Sequence, residues 1–431
     1  MATVTATAKP AGLDAKKGSA LIRTAWAKDI VYESLKYDVM SNIPALTALV
    51  NPGKITKTVP GKVIMDVTPS GMDKYARSVV LQRTSALSGD GKFGSEVDDV
   101  LGNEEDIAVK YFKAYAADWA HAVRGQKYGF NYRENTPTQI FDKTKPLLAQ
   151  WYGELDGLFM RQGLTRSISE NLEKETALDL DSYYNSNVMV INSADTFLNI
   201  ADYDTEAAYE TAVLAALGGV SDGANSKLTI TKCLNIAEQA ADSDITPIQW
   251  EGHSLYIMYA HPDDVNNLID PSVTGSFGES WVRAAGLGSG ELNKTIPGAE
   301  FVVGDSLVVV KDRRAPRFHY VAAGDSDFAY LRPGRKDERK GLVGGKIFNV
   351  AIVLGENALV KFHPEPPHYE DQDESYRKYN NVGFFGACGY MSPVWQNDEA
   401  GTDPSPKLSS RIQESSMLVL TAARVFDGAA S

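Results

Sequence analysis

The sequence predicts an α+β chain, and three observations carry that expectation. Residues 51–101 alternate turn chemistry with short β-prone runs, Thr136–Gln162 has the periodicity of a long amphipathic helix, and the last third is rich in β-branched runs. With 431 residues, 43% hydrophobic and 23% charged, the chain can bury one large core or about two to three ordinary ones.

The elements follow in chain order. Met1–Ser19 is small and polar, and it leads into a loosely periodic stretch from Ala20 to Met40, so the first part reads as an arm with a helix. In residues 51–101, Pro52-Gly53, Pro60-Gly61, Pro69-Ser70-Gly71 and Ser88-Gly89-Asp90-Gly91 separate β-prone runs such as Lys62–Val67, which predicts hairpins, one of them long and projecting. The helix over Thr136–Gln162 opens on a capping box, Thr136 with Gln139, has Pro137 at its first position, and ends at Gly163 as a C-terminal cap. Ile140, Leu147, Trp151, Leu155 and Leu158 form its apolar stripe, expected to lie along a sheet, and Pro146 in its interior predicts a kink. Leu178–Asn185 and Glu210–Leu217 are helix-like, and Lys227–Ile230 is β-prone. Strands are predicted at Leu255–Ala260, Phe301–Val303, Leu307–Val310, Phe348–Leu354 and Ser416–Leu420. Arg332–Lys340, RPGRKDERK, mixes five basic with two acidic side chains and reads as a solvated loop, with a subunit contact as the sharper alternative.

Composition excludes several function classes. A net charge of −13 disfavours an electrostatic grip on phosphate backbones. No stretch is apolar and long enough for a signal peptide or a membrane span, so a protein made and assembled in a cytosol is expected, with no membrane partner. Cys233 and Cys388 are too few for a disulfide scaffold or a four-cysteine zinc site and read as buried small hydrophobes.

The motifs that resemble chemical sites have simpler local explanations. His261-Pro262-Asp263-Asp264 is either a metal or acid-base site or the joint between a strand and a helix. Pro262 suits a first helical position, and the two aspartates complement the positive end of the helix dipole. Their side chains diverge by about 100° on a helix, so they do not converge on one ion. His363-Pro364-Glu365-Pro366-Pro367-His368 reads as a rigid extended segment. Asp371–Ser375 opens like a calcium loop but has Tyr376 and Val382 where glycine and glutamate are needed. Gly89–Gly94 matches GxGxxG without the flanking strand and helix, Gly344–Ile347 lacks the spacing of a phosphate loop, and Gly219–Gly223 matches GxSxG without a leading strand. No catalytic, cofactor-binding or metal-binding residue is therefore expected; a metal-dependent hydrolase using His261, Asp263, His363 or His368 stands as the enzyme alternative.

Four segments together carry a resemblance: Ser254–Ile269, Trp281–Ala285, Ile296–Val303 and Ile352–Leu359. Strand, His-Pro, helix, a Gly-bounded strand and a Leu-Gly-x-x-Ala segment in this order resemble the major capsid proteins of N-four-like podoviruses and related tailed bacteriophages, over about a third of the chain from Ser254 to Gly389. The resemblance implies the Hong Kong 97-type capsid fold. Its parts would be an N-terminal arm at 1–50, an extended E-loop hairpin at 51–101, a P-domain at 102–199 with its spine helix at 136–162, an A-domain at 200–330, and P-domain strands with a C-terminal segment at 331–431. Residues 200–245 depart from the family pattern, which leaves room for an insertion, and no lysine or asparagine aligns with the prototype's covalent cross-link. The implied function is self-assembly into hexamers and pentamers of an icosahedral head, in the virion, enclosing double-stranded DNA without sequence-specific binding. Portal, scaffolding and cement proteins are the implied partners. An encapsulin-like compartment shell is the alternative within the same fold.

Overall fold

Runs of β-branched residues need cover on both faces, and a wide mixed sheet supplies it. The computed structural model describes residues 20–40, 47–50, 62–67, 78–84, 109–126, 140–165, 187–220, 226–250, 253–270, 296, 299–304, 306–320, 329–331, 346–374, 379–395 and 415–423. The elements are α1 (Ala20–Ser34), β1 (Thr47–Val50), β2 (Ile64–Val67), β3 (Ser78–Thr84), β4 (Val109–Tyr115), β5 (Ala117–Gln126), α2 (Ile140–Thr165), β6 (Asn187–Val190) and β7 (Thr196–Asn199). There follow α3 (Glu206–Gly218), α4 (Ile230–Asp242), β8 (Ile248–Trp250), β9 (His253–Ala260), α5 (Pro262–Ile269), β10 (Ala299–Val303), β11 (Leu307–Lys311), β12 (Arg317–Tyr320), β13 (Ala329–Leu331), β14 (Lys346–Leu354), β15 (Leu359–Glu374), β16 (Tyr379–Met391) and β17 (Ser416–Ala422).

The chain divides into two compact units. The larger holds residues 42–117, 158–364 and 389–431. Its ten-stranded sheet runs β10-β11-β9-β14-β17-β6-β7, with β12 also paired to β14, β13 to β12 and β8 to β9. The register is continuous where the sequence is most apolar: β14 pairs antiparallel with β17 from Phe348↔Ala422 to Leu354↔Ser416, and β11 pairs parallel with β9 from Leu307↔Tyr256 to Lys311↔Ala260. One face carries α4 and α5, whose Cys233, Ile236, Val265 and Leu268 join Met258, Val309, Val353 and Val419 in a single core. Thr229 caps α4, its Oγ1 accepting from Lys232 N at 3.4 Å. Lys227–Ile230 is thus a helix start and not a strand: intrinsic β propensity yields to the Thr cap and to the amphipathic run behind it. A second core, Met65, Leu81, Phe112, Val360, Phe362 and Trp395, draws two of its members, Leu81 and Phe112, from the antiparallel pair β3/β4.

The smaller unit holds residues 1–41, 118–157 and 365–388. Its centre is aromatic: Trp119 sits 5.1 Å from Tyr152, 5.2 Å from Phe384 and 5.9 Å from Trp151, ring centre to ring centre. The end of α1 reaches α2 closely at Gly153, where an added Cβ would stand 2.5 Å from the Ser34 carbonyl oxygen.

The long helix differs from its sequence reading in phase and in its end. Leu147 is 61% exposed, and Trp151, Leu155 and Leu158 are half-buried. The buried stripe lies one residue on, about 100° round the helix, at Leu148, Tyr152, Asp156, Met160 and Leu164, with Ala149, Gly153, Gly157 and Arg161 beside it. Counting apolar residues misses this face because glycines and two charged residues occupy it. The helix also continues to Thr165, so Gly163 is not a cap. An added Cβ there would stand 2.4 Å from the Tyr390 carbonyl oxygen, and Ser392 N donates to Gly163 O at 2.9 Å; the glycine allows backbone to meet backbone. Pro146 lies inside the helix on its exposed side. Thr136, Pro137, Gln139, Leu178–Asn185, Gly89–Gly94 and Arg332–Lys340 lie outside the described residues.

Candidate functional site

The His261–Asp264 motif sits where β9 ends and α5 begins. His261 is the N-cap: its Nδ1 accepts from Asp263 N at 3.1 Å and contacts Arg317 Nη2 at 2.9 Å. With Nδ1 accepting from both, the ring proton lies on Nε2 in the neutral form. Arg317, at the start of β12, also donates from Nη2 to Asp263 Oδ2 and from Nε to Asn349 Oδ1 at 2.8 Å. Asp264 turns the other way, as the 100° step requires, and is fully buried. Its Oδ1 accepts from Thr421 Oγ1 at 2.7 Å and from Asn349 Nδ2 at 3.3 Å. Burial pushes its carboxyl up to about 7, against the lowering effect of those two hydrogen bonds. Cys233, in the same core, has its thiol pushed far up by burial and by Asp264, the opposite of a reactive cysteine.

Chemically this cluster is a joint that ties α5 to β12, β14 and β17. His261 Nδ1 and Asp263 Oδ2 come within 3.5 Å, but the Arg317 guanidinium already contacts both, placing a positive charge where a metal ion would have to stand. His363 is buried in the larger unit, edge-on to Tyr390 at 5.8 Å. His368 belongs to the smaller unit and stacks on Phe385 at 5.7 Å. Both lie within β15, as does Asp371–Glu374, so these motifs form strand and not a ligand loop. Among the described residues no group of three or more His, Cys, Asp or Glu could hold a metal ion.

One feature of the larger unit was invisible in the sequence. Arg161, in the last turns of α2, makes a two-pronged ion pair with Asp312: Nε to Oδ2 at 2.7 Å and Nη2 to Oδ1 at 2.8 Å. Their side chains are 1% and 2% exposed, and Asp312 Oδ1 also accepts from Arg314 N at 2.9 Å. The pair fixes the end of the long helix against the turn between β11 and β12. The partners stand 151 positions apart in the sequence, which leaves no local signal for the pair.

No protein-family model matches the chain, and no curated protein matches it. Solved structures do. The chain is similar to the capsid of Ralstonia phage GP4, at 15% identity and a TM-score of 0.52, over 85% of this chain and 89% of that one. It is similar to the capsid of Helicobacter pylori bacteriophage KHP30, at 14% identity and a TM-score of 0.50, over 88% and 90%. The fold is that of phage capsid proteins, with helices and mixed sheets in one chain.

Proposed function

We propose that this chain is a major capsid protein of a tailed bacteriophage, with the Hong Kong 97-type fold and no enzymatic role. The observation that carries the reading is the likeness to the GP4 capsid over 85% of the chain. The long helix would be the spine of the P-domain, β2 and β3 would belong to the E-loop region at 51–101, and α3 to β12 would lie in the A-domain at 200–330. Copies would assemble into hexamers and pentamers of an icosahedral head around double-stranded DNA, assembled in the host cytoplasm, with portal, scaffolding and cement proteins as partners.

Physical arguments support it. A shell asks one chain to be rigid in its centre and to offer separate contacts to several neighbours. Here strands β6, β9, β11, β14 and β17 of the ten-stranded sheet are buried along most of their lengths, and the long helix is locked at one end by the Arg161–Asp312 pair. A net charge of −13 also disfavours adhesion of a packaged polyanion to the wall. The experiment is expression of the full chain, alone and with its phage's scaffolding protein, followed by sedimentation and negative-stain microscopy. Closed shells or capsomers are expected; a monodisperse monomer under both conditions overturns the reading, and particles that load an enzyme in place of a genome redirect it to a compartment shell.

A further inference from the structure

Arg332–Lys340 is the densest basic run of an acidic chain, and neither the fold nor the proposed function has used it. Its chemical complement lies in the smaller unit. An open pocket of about 410 Å³ is lined there by Asp118, Trp119, Glu365, His368, Glu370 and Phe385. Three carboxylates face it, and among the described residues no lysine or arginine lines it. His368 keeps its Nδ1 3.4 Å from Glu365 Oε1 and lays its ring on Phe385, so the floor is aromatic and the rim acidic.

A second observation narrows the ligand. Trp119 is 9% exposed, and its Nε1 is buried without a hydrogen-bond partner among the described residues. That nitrogen faces Gly386, also in the pocket wall, where an added Cβ would stand 3.2 Å from it. Carboxylates alone would suit any cation, but a buried indole N–H calls for an acceptor. An extended peptide bearing Arg and Lys supplies both: cationic groups for the rim and for the aromatic faces, and a main-chain carbonyl for the indole at the glycine gap. A bare metal ion supplies no acceptor.

We infer that this pocket takes the Arg332–Lys340 segment of a second copy of the chain, an inference that rests on the shell reading because a head-to-tail contact of segment and pocket closes identical copies into rings. The test has two arms. In the first, a fluorescent peptide of residues 331–341 is titrated onto the full chain, with anisotropy as the readout. Binding is expected to weaken at least tenfold in E365K/E370K and to fall as salt rises from about 0.05 to 0.5 M, since the charges are partly exposed. Equal binding to both proteins, or none to either, overturns the assignment. In the second arm, E365K/E370K and R335E/K336E/R339E are assembled separately and mixed. Each alone is expected to lose assembly, and the mixture to regain hexamers, in which alternation of the two variants lets every reversed pocket meet a reversed segment. Recovery only when all five changes sit in one chain places the contact within a copy and overturns the second-copy assignment. A wild-type chain that forms no particles, either alone or with the scaffolding protein, yet binds the peptide in a manner dependent on Glu365 and Glu370, ends the shell reading and leaves the pocket standing. Urea midpoints of the variants check that the substitutions leave folding unchanged.

Discussion

In the ten-stranded sheet, β14 and β17 are buried along nearly their whole lengths, whereas α2 buries one stripe composed of Leu, Tyr, Gly, Asp and Arg together. The two regions divide the labour of specifying a fold. A strand covered on both faces reads as an unbroken apolar run, and no error of phase is possible because every position is inside. A helix covered on one face is read by its apolar residues, and that reading fails when the buried face is made of small residues and paired charges. Buried identity is therefore written in hydrophobicity in the sheet and in fit in the helix.

The largest expected effect comes from breaking the fit. Arg161→Ala or Asp312→Ala leaves a buried charge without its partner and should cost about 3–5 kcal/mol, read as a fall in the urea midpoint. Replacing both, as Arg161→Met with Asp312→Leu, should recover a large part of that loss. Next is the phase of the helix. Leu148→Ala removes a side chain 1% exposed and should cost about 2–5 kcal/mol.

Gly163→Ala tests the close approach. Alanine ordinarily stabilises a helix by about 1 kcal/mol over glycine. Here its Cβ would stand 2.4 Å from a backbone oxygen, so the sign should reverse, to a loss of about 1–3 kcal/mol. Asp264 gives a pH signature. Its carboxyl titrates at about 7 in the folded chain, and an unfolded aspartate near 3.9. Between those values the unfolded chain has released this proton and the folded chain has kept it, so the contribution of Asp264 to stability is greatest below about 4 and declines towards pH 7, by up to about 1.4 kcal/mol per pH unit. Asp264→Asn should flatten that slope in urea titrations across the window. The smallest effect belongs to Leu147→Ala, expected to move protomer stability by less than about 0.5 kcal/mol although the residue is as apolar as its neighbour. Equal losses at Leu147 and Leu148 would contradict the helix phase described above.

The candidate site was legible in proportion to how local it is. Leu255–Ala260, His-Pro and the two aspartates announce a strand, a cap and a helix start within a dozen residues, and the structure places β9, the His261 cap and α5 there. Arg317, Asn349 and Thr421, which complete the cluster, come from three later strands, and each looks unremarkable in its own neighbourhood. The helices α3 and α4 were half legible: Glu210–Leu217 reads as helix, while Lys227–Ile230 reads as strand until Thr229 is recognised as a cap.

By itself the sequence determined β10, β11, β14 and β17 among the strands of the last third, though not β12, β13 or the long β15 and β16, and also the presence of one long helix and the local joint at His261, because hydrophobic run, period and cap chemistry act over a few residues. Only the tertiary structure decided which face of that helix is inside, that Gly163 serves contact in place of termination, and that Arg161 has Asp312 to neutralise it. Those are properties of surfaces brought together from distant parts of the chain, where a missing Cβ or a matched charge outweighs the hydrophobicity of any one residue.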